Sequence, residues 1–246
     1  MPARREMSEA AAMQVLRVGG EYLTARRHRA RAALFAIAGS GVAGATALAV
    51  GVHPLAGALL GAGMASVTAK AHRRFGRFKM RIRGERVVTE LLRSLPDDYF
   101  LLNDVVLPGH PGNVDHVVIG PCGVVVIATR NFTGRVQSDG NARFINGRRS
   151  RSVSTQANRA AIAVREALSD AHPDLKESVL LSVESIAAFT NPSRRVRASR
   201  AQTIVARYSQ LLDVILSIAR RKRVPPAVAA RLAATLEKMV CTRSTS

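Results

Sequence analysis

The longest feature in the polarity pattern is a stretch, residues 32–69, that contains no Asp, Glu, Lys or Arg. A single helix crosses a bilayer with about 20 apolar residues, so a longer uncharged run predicts more than one crossing. His53-Pro54 divides it into two arms, 32–52 and 55–69, which predicts a transmembrane helical hairpin with a tight turn. The second arm is short, so its Thr68 end is expected at the interface. Arg26, Arg27, Arg29 and Arg31 precede the first arm. Lys70, Arg73, Arg74, Arg77, Lys79, Arg81 and Arg83 follow the second, and the turn carries no Lys or Arg. By the positive-inside rule this predicts a multi-pass membrane protein of two helices with both termini cytoplasmic. The alternative for the stretch is a soluble, Ala-rich helical hairpin. Gly57 and Gly61, four apart, would let helices approach closely, within the hairpin or in a homo-oligomer. An Ala/Gly bias of the segment explains them equally well.

Residues 1–31 read as a basic amphipathic helix broken near Gly19-Gly20, lying on the membrane surface or left as a solvated tail. Residues 70–83 form a basic juxtamembrane segment. From Gly84 the pattern becomes that of a mixed α/β domain. Val87, Val88, Leu91, Leu92 and Leu95 recur at helical spacing and predict a helix over 85–95, stopped by Pro96-Asp97-Asp98. Residues 99–107 predict a strand. The β-branched runs 114–119 and 124–129, joined by Gly120-Pro121-Cys122-Gly123, predict a hairpin, and 134–145 a second one around Asp139-Gly140. Helices are expected over 154–171, 208–220 and from Pro225-Pro226 to about 240, and strands over 180–189 and 202–206. A folded α/β domain is therefore expected from 84 onward. The strand and helices of 194–246 are expected to pack on it.

Charge narrows the partners. The chain of 246 residues has 37 Lys and Arg against 17 Asp and Glu, a formal net charge of +20. Such a surplus suits an anionic partner: membrane lipid, DNA or RNA. A generally Arg-rich composition is the bland reading. Aromatics are 4% and Trp is absent, so base stacking is not expected to dominate nucleic-acid binding. Cys122 and Cys241, the only cysteines, lack metal-ligand spacing and fit a reducing compartment.

An ordered series of short motifs carries more specific information. It runs Gly84-Glu85-Arg86-Val87-Val88, then Leu102-Asn103-Asp104-Val105, then Asn113-Val114-Asp115-His116-Val117-Val118-Ile119-Gly120-Pro121. Gly123-Val124-Val125-Val126-Ile127-Ala128-Thr129-Arg130-Asn131 follows, then Gly134, with an end near Phe189-Thr190-Asn191-Pro192. This series resembles the NERD (nuclease-related) domain, itself similar to the PD-(D/E)xK nucleases. The resemblance covers roughly 84–193 and implies a mixed sheet flanked by helices. It also implies a site in which an Asp on one strand and a Glu on the next hold a divalent cation, while a Lys two residues beyond the Glu orients water. Asp115 matches the Asp, Glu85 the family's helix glutamate, and Gln156 a recurrent glutamine. Ala128 stands where the second carboxylate is expected and Arg130 where the lysine is. Alanine ligates nothing. Arginine stays protonated, though it can bind phosphate.

The catalytic set implied by the resemblance is therefore Asp115, Glu85, Arg130 and Gln156, with Asp115 as the metal ligand and catalysis impaired. No cofactor is expected. Mg or Mn enters only if Glu85, Asp104 or Asp139 supplies the missing carboxylate. Bland readings stand beside these. Asp115 accepts hydrogen bonds from the hairpin, Glu85 sits early in a helix where a carboxylate is favoured, and His116, opposite to Asp115 on its strand, is structural. The clusters Arg148, Arg149, Arg151 and Arg194, Arg195, Arg197, Arg200 are solvated surface or phosphate contacts. Three functions follow: a non-catalytic membrane-tethered module for nucleic acid or another anionic partner, a metal-dependent nuclease with a relocated carboxylate, and a structural membrane protein binding anionic lipid.

Overall fold

The structure is a computed structural model that describes residues 14–17, 54–107, 109–110, 112–131, 136–139, 142–145, 147–149, 152–190, 196–199 and 203–241. The chain divides into two compact units, Gly20–Ile82 and Met1–Gly19 with Arg83–Ser246. The larger unit is built on a six-stranded sheet of order β1-β2-β3-β4-β8-β10. Its strands are β1 (Gln14–Arg17), β2 (Phe100–Val105), β3 (Val114–Gly120), β4 (Gly123–Arg130), β8 (Val183–Phe189) and β10 (Ile204–Arg207). β2, β3 and β4 are antiparallel neighbours. β4 with β8, β8 with β10, and β1 with β2 are parallel pairs. The near-continuous apolar sequences of β3 and β4 suit central strands covered on both faces, and both are buried along almost their whole length.

Helices cover each face. Leu102, Val117, Ile119, Val124 and Val126 pack against α2 (Ser152–Ala171) and α4 (Pro226–Cys241). Val118, Val125, Ile127 and Ile186 pack against Val88 and Leu92 of α1 (Pro54–Leu92) and against Leu211, Ile215 and Ile218 of α3 (Leu211–Lys222). α3 and α4 thus join the two cores of the domain rather than standing apart from it. The β3–β4 turn needs Gly123: its φ is +75°, and a Cβ there would lie 3.0 Å from the Ser182 carbonyl oxygen. At this end Lys222 at the close of α3 reaches Glu184 of β8 at 2.9 Å and also bonds Ser182. A second sheet of order β7-β6-β5-β9 comprises β5 (Val136–Asp139), β6 (Ala142–Ile145), β7 (Arg148–Arg149) and β9 (Val196–Ser199).

Several expectations change. Residues 14–17 form a parallel edge strand on β2 rather than part of a helix, because Gln14-Val15-Leu16-Arg17 can pair with the backbone of Phe100, Leu101 and Leu102. The other residues of the expected N-terminal helix lie outside the described ones. The 55–69 arm, the juxtamembrane segment and the 85–95 helix are one helix, α1. Its uncharged part, 55–69, is about 22 Å long at 1.5 Å per residue, short of a hydrocarbon core of roughly 30 Å. Among the described residues no helix is long and apolar enough to cross a membrane. The first arm of the expected hairpin, 32–52, lies outside them. Glu85 is consequently deep inside a long helix, so the favour of a first turn for carboxylates does not account for it. β7 and β9 were not expected.

Candidate functional site

Strand register decides which side chains meet. His116 pairs with Ile127, so one step further along Asp115 lies opposite Ala128. Arg130, two residues beyond Ala128, shares their face, the one covered by α2. His116 and Thr129 take the other face, as does Asn103, the β2 partner of His116.

On the first face Asp115 is held at the end of the sheet. Its Oδ2 accepts the Thr129 backbone N–H at 2.8 Å and Arg130 Nη1 at 3.2 Å. Arg130 Nη1 also donates to the Thr129 carbonyl at 2.6 Å, and Nη2 donates to Gln156 Oε1 on α2. The guanidinium therefore bridges β3, β4 and α2. Ala128, buried beside it, contributes only a methyl group. On β2, Asp104 is buried with φ +57°, a left-handed conformation uncommon outside glycine, and accepts Asn113 Nδ2. The pairs Asn103–His116 and Val105–Val114 bracket Asp104 opposite Asp115.

On the second face lies a polar cluster centred on the buried Asn103, His116 and Thr129. His116 Nδ1 is 2.7 Å from Asn103 Oδ1 and Nε2 is 3.0 Å from Thr129 Oγ1. Thr89 of α1 donates to the same Asn103 oxygen at 3.4 Å. An amide oxygen only accepts, so Nδ1 carries the proton and Nε2 accepts from the Thr129 hydroxyl. Burial drives the imidazole pKa down to about 4 against a weaker upward pull from Asp115. His116 is thus a neutral structural group, as its position opposite to Asp115 suggested.

Glu85 reaches this end of the sheet from α1. A Cβ on its neighbour Gly84 would lie 3.2 Å from both Asn131 Cβ and Thr190 Oγ1, so the helix backbone runs close against the ends of β4 and β8. Glu85 itself is buried. Asp115, Arg130 and Gln156 are brought into direct contact. Asp139 belongs to the other sheet. Among the described residues no group of three or more His, Cys, Asp or Glu is arranged to hold a metal ion. Asp115 with Ala128 and Arg130 does not fit a divalent cation: the one matched carboxylate faces a guanidinium, and its neighbour has no oxygen to offer. Sequence reasoning missed Thr129, which binds Asp115 through its N–H and His116 through its hydroxyl. The only signal was its place between the two departures at Ala128 and Arg130.

Residues 81–190 match the family model of the nuclease-related domain, NERD. A mixed sheet flanked by helices, with Asp115 and residue 130 on one face at the sheet end, agrees with a nuclease-like fold. Comparisons with curated proteins and with solved structures gave no match.

Proposed function

We propose that this nuclease-related domain binds an anionic partner, nucleic acid first among them, without cleaving it. The observation that carries the reading is the Arg130–Asp115 pair. The guanidinium stands where a nuclease of this kind would have its lysine and is bonded to the carboxylate that would hold the cation, and it cannot activate water as a metal does. Arg130 approaches α2 within that helix's first turns, where the helix dipole is positive, so the site suits phosphate. The net charge of +20 gives long-range attraction to a phosphate backbone.

The uncharged stretch 32–69 and its basic flanks support tethering of this module to a membrane, with both termini cytoplasmic. The pairing of β1 with β2 favours a hairpin over a single crossing, since residues on both sides of the stretch belong to one sheet. Cysteines introduced at the termini and at position 53 test this: labelling of either terminus from outside intact cells refutes it.

A second reading has one observation in its favour. Asp104 is a buried carboxylate in a strained conformation, bracketed opposite Asp115, and could serve as the relocated metal ligand. One experiment separates the two. The purified protein is incubated with DNA and RNA in Mg or Mn, and oligonucleotide binding is measured with and without EDTA. Binding that ignores EDTA, with no cleavage, is expected. Cleavage that survives repurification and vanishes in Asp115→Ala establishes the nuclease instead.

A further inference from the structure

The row that holds Arg130 does not end at β4. Arg130 pairs with Phe189 of β8, and Phe189 with Arg207 of β10, so the three stand side by side on parallel strands. Residues paired in this way present their side chains on one face of the sheet. The packing agrees. Val124 and its partner Val183 belong to the core under α2, whereas Ile127 with Ile186, and Ala188 with Ala206, belong to the core on the other face. Arg207, next to Ala206, therefore shares the face of Arg130 and Asp115. Phe189 between the two arginines is fully buried. α2 lies over β4 and β8 rather than over the edge strand β10, and Arg207 is only half-buried. All three strands end here, and ligands of open α/β sheets sit outside the carboxyl ends of parallel strands.

We infer that Arg207 is a second phosphate contact, taking the phosphate next to the one that Arg130 engages on a nucleic-acid strand. Two steps between strands of about 4.8 Å place the two Cα atoms about 10 Å apart. Charges recur about every 3.4 Å along one strand of a duplex, so this span takes in more than one phosphate. A guanidinium stays protonated, and its planar fork matches phosphate oxygens. Two such groups in a line along the end of a sheet suit a polymer backbone better than a lone lipid headgroup. Other exposed arginines are already engaged with carboxylates: Arg93 with Glu90 and Arg231 with Asp174. The inference rests on the nucleic-acid reading above and extends its site from β4 to the edge of the sheet.

The test uses the purified full chain and fluorescein-labelled oligothymidylate, with binding read by fluorescence anisotropy across a salt series. Arg207→Gln is compared with Arg221→Gln, an equal change of net charge at the far end of the sheet, where α3 closes beside the β3–β4 turn. Arg207→Gln is expected to weaken binding about fivefold and to lower the log–log salt slope by about 0.7, the value for one phosphate contact on single strands. Arg221→Gln, more than a Debye length from the site, should change affinity by less than about twofold. Arg207→Lys keeps the charge but not the fork, so it should keep the slope and lose about twofold in affinity. Should Arg207→Gln fail to fold, as judged by its thermal midpoint, Arg207→Lys must lose more affinity than Arg221→Lys for the inference to stand. A loss in Arg207→Gln with an unchanged slope marks a structural role and overturns the inference. Equal losses in Arg207→Gln and Arg221→Gln also overturn it, while leaving the nucleic-acid reading intact. Absence of binding by the unaltered chain at low salt overturns both. If Arg207→Gln loses binding only to vesicles containing phosphatidylserine, the residue is a lipid contact and the inference is wrong.

Discussion

Asp115 Oδ2 and Arg130 Nη1 lie 3.2 Å apart on adjacent strands, with 3% and 12% of their side chains exposed. A pair this sheltered behaves differently from one at the surface. Taking one partner away leaves a charge in a poorly solvated place, whereas taking both can cost little.

This sets the first prediction. Asp115→Leu should lower unfolding free energy by about 3 kcal/mol, measured by urea titration, because Arg130 is left without its carboxylate. Asp115→Leu/Arg130→Met should recover at least half of that loss. Equal stability of the single and double variants would show that the pair does not couple.

The second prediction concerns the metal site that the family resemblance implies. Ala128→Glu with Arg130→Lys places a second carboxylate opposite Asp115 and removes the guanidinium. Without metal this variant should be less stable than the parent, since two buried carboxylates repel. Millimolar Mn should raise its melting temperature and leave that of the parent unchanged, as expected for a ligand that binds only the folded state. Cleavage is a further step that depends on groups around the ligands. A variant that Mn does not stabilise would place the missing ligand elsewhere.

The third prediction concerns pH. His116 titrates at about 4 when folded, because it is buried, against an ordinary value of 6.5. Above pH 6.5 both folded and unfolded chains hold it neutral, and it adds no pH dependence. Between 6.5 and 4 the unfolded chain takes up a proton that the folded chain refuses, so stability falls as the solution is acidified, by roughly 3 kcal/mol in all. His116→Asn should start less stable at pH 7.5 through loss of the Asn103 and Thr129 contacts, yet lose less across this window. Parallel stability curves for the two proteins would contradict a neutral buried imidazole.

A fourth prediction tests the turn that aligns β3 with β4. Gly123→Ala should lower stability by about 1–3 kcal/mol, through a left-handed residue gaining a Cβ and through contact with the Ser182 carbonyl. Gly109 also has a positive φ, but nothing lies within 4 Å of a Cβ built there, so Gly109→Ala should cost less. Thermal midpoints of the two variants give the comparison.

Much of the domain was legible in the chain because its signals are local. The Val-rich runs around Gly120-Pro121-Cys122-Gly123, the helical spacing of Val87, Val88, Leu91 and Leu92 and the proline start of the last helix each encode their element within a few residues, and those elements form. The residues at 128 and 130, an alanine and an arginine, were equally plain. Other features depend on partners distant in the sequence. Val15 and Leu16 become a strand only because the edge of β2 is there to pair with. Residues 196–199 become a strand only because β5 is there to pair with. That Arg130 turns inward onto Asp115 and Gln156, instead of outward to solvent, is settled by register and by the position of α2, since local sequence gives a guanidinium no direction. Sequence alone thus determined the elements with strong local signals and the chemical groups available. Tertiary structure decided which charges neutralise one another, because pairing across strands depends on neighbours that no local pattern specifies.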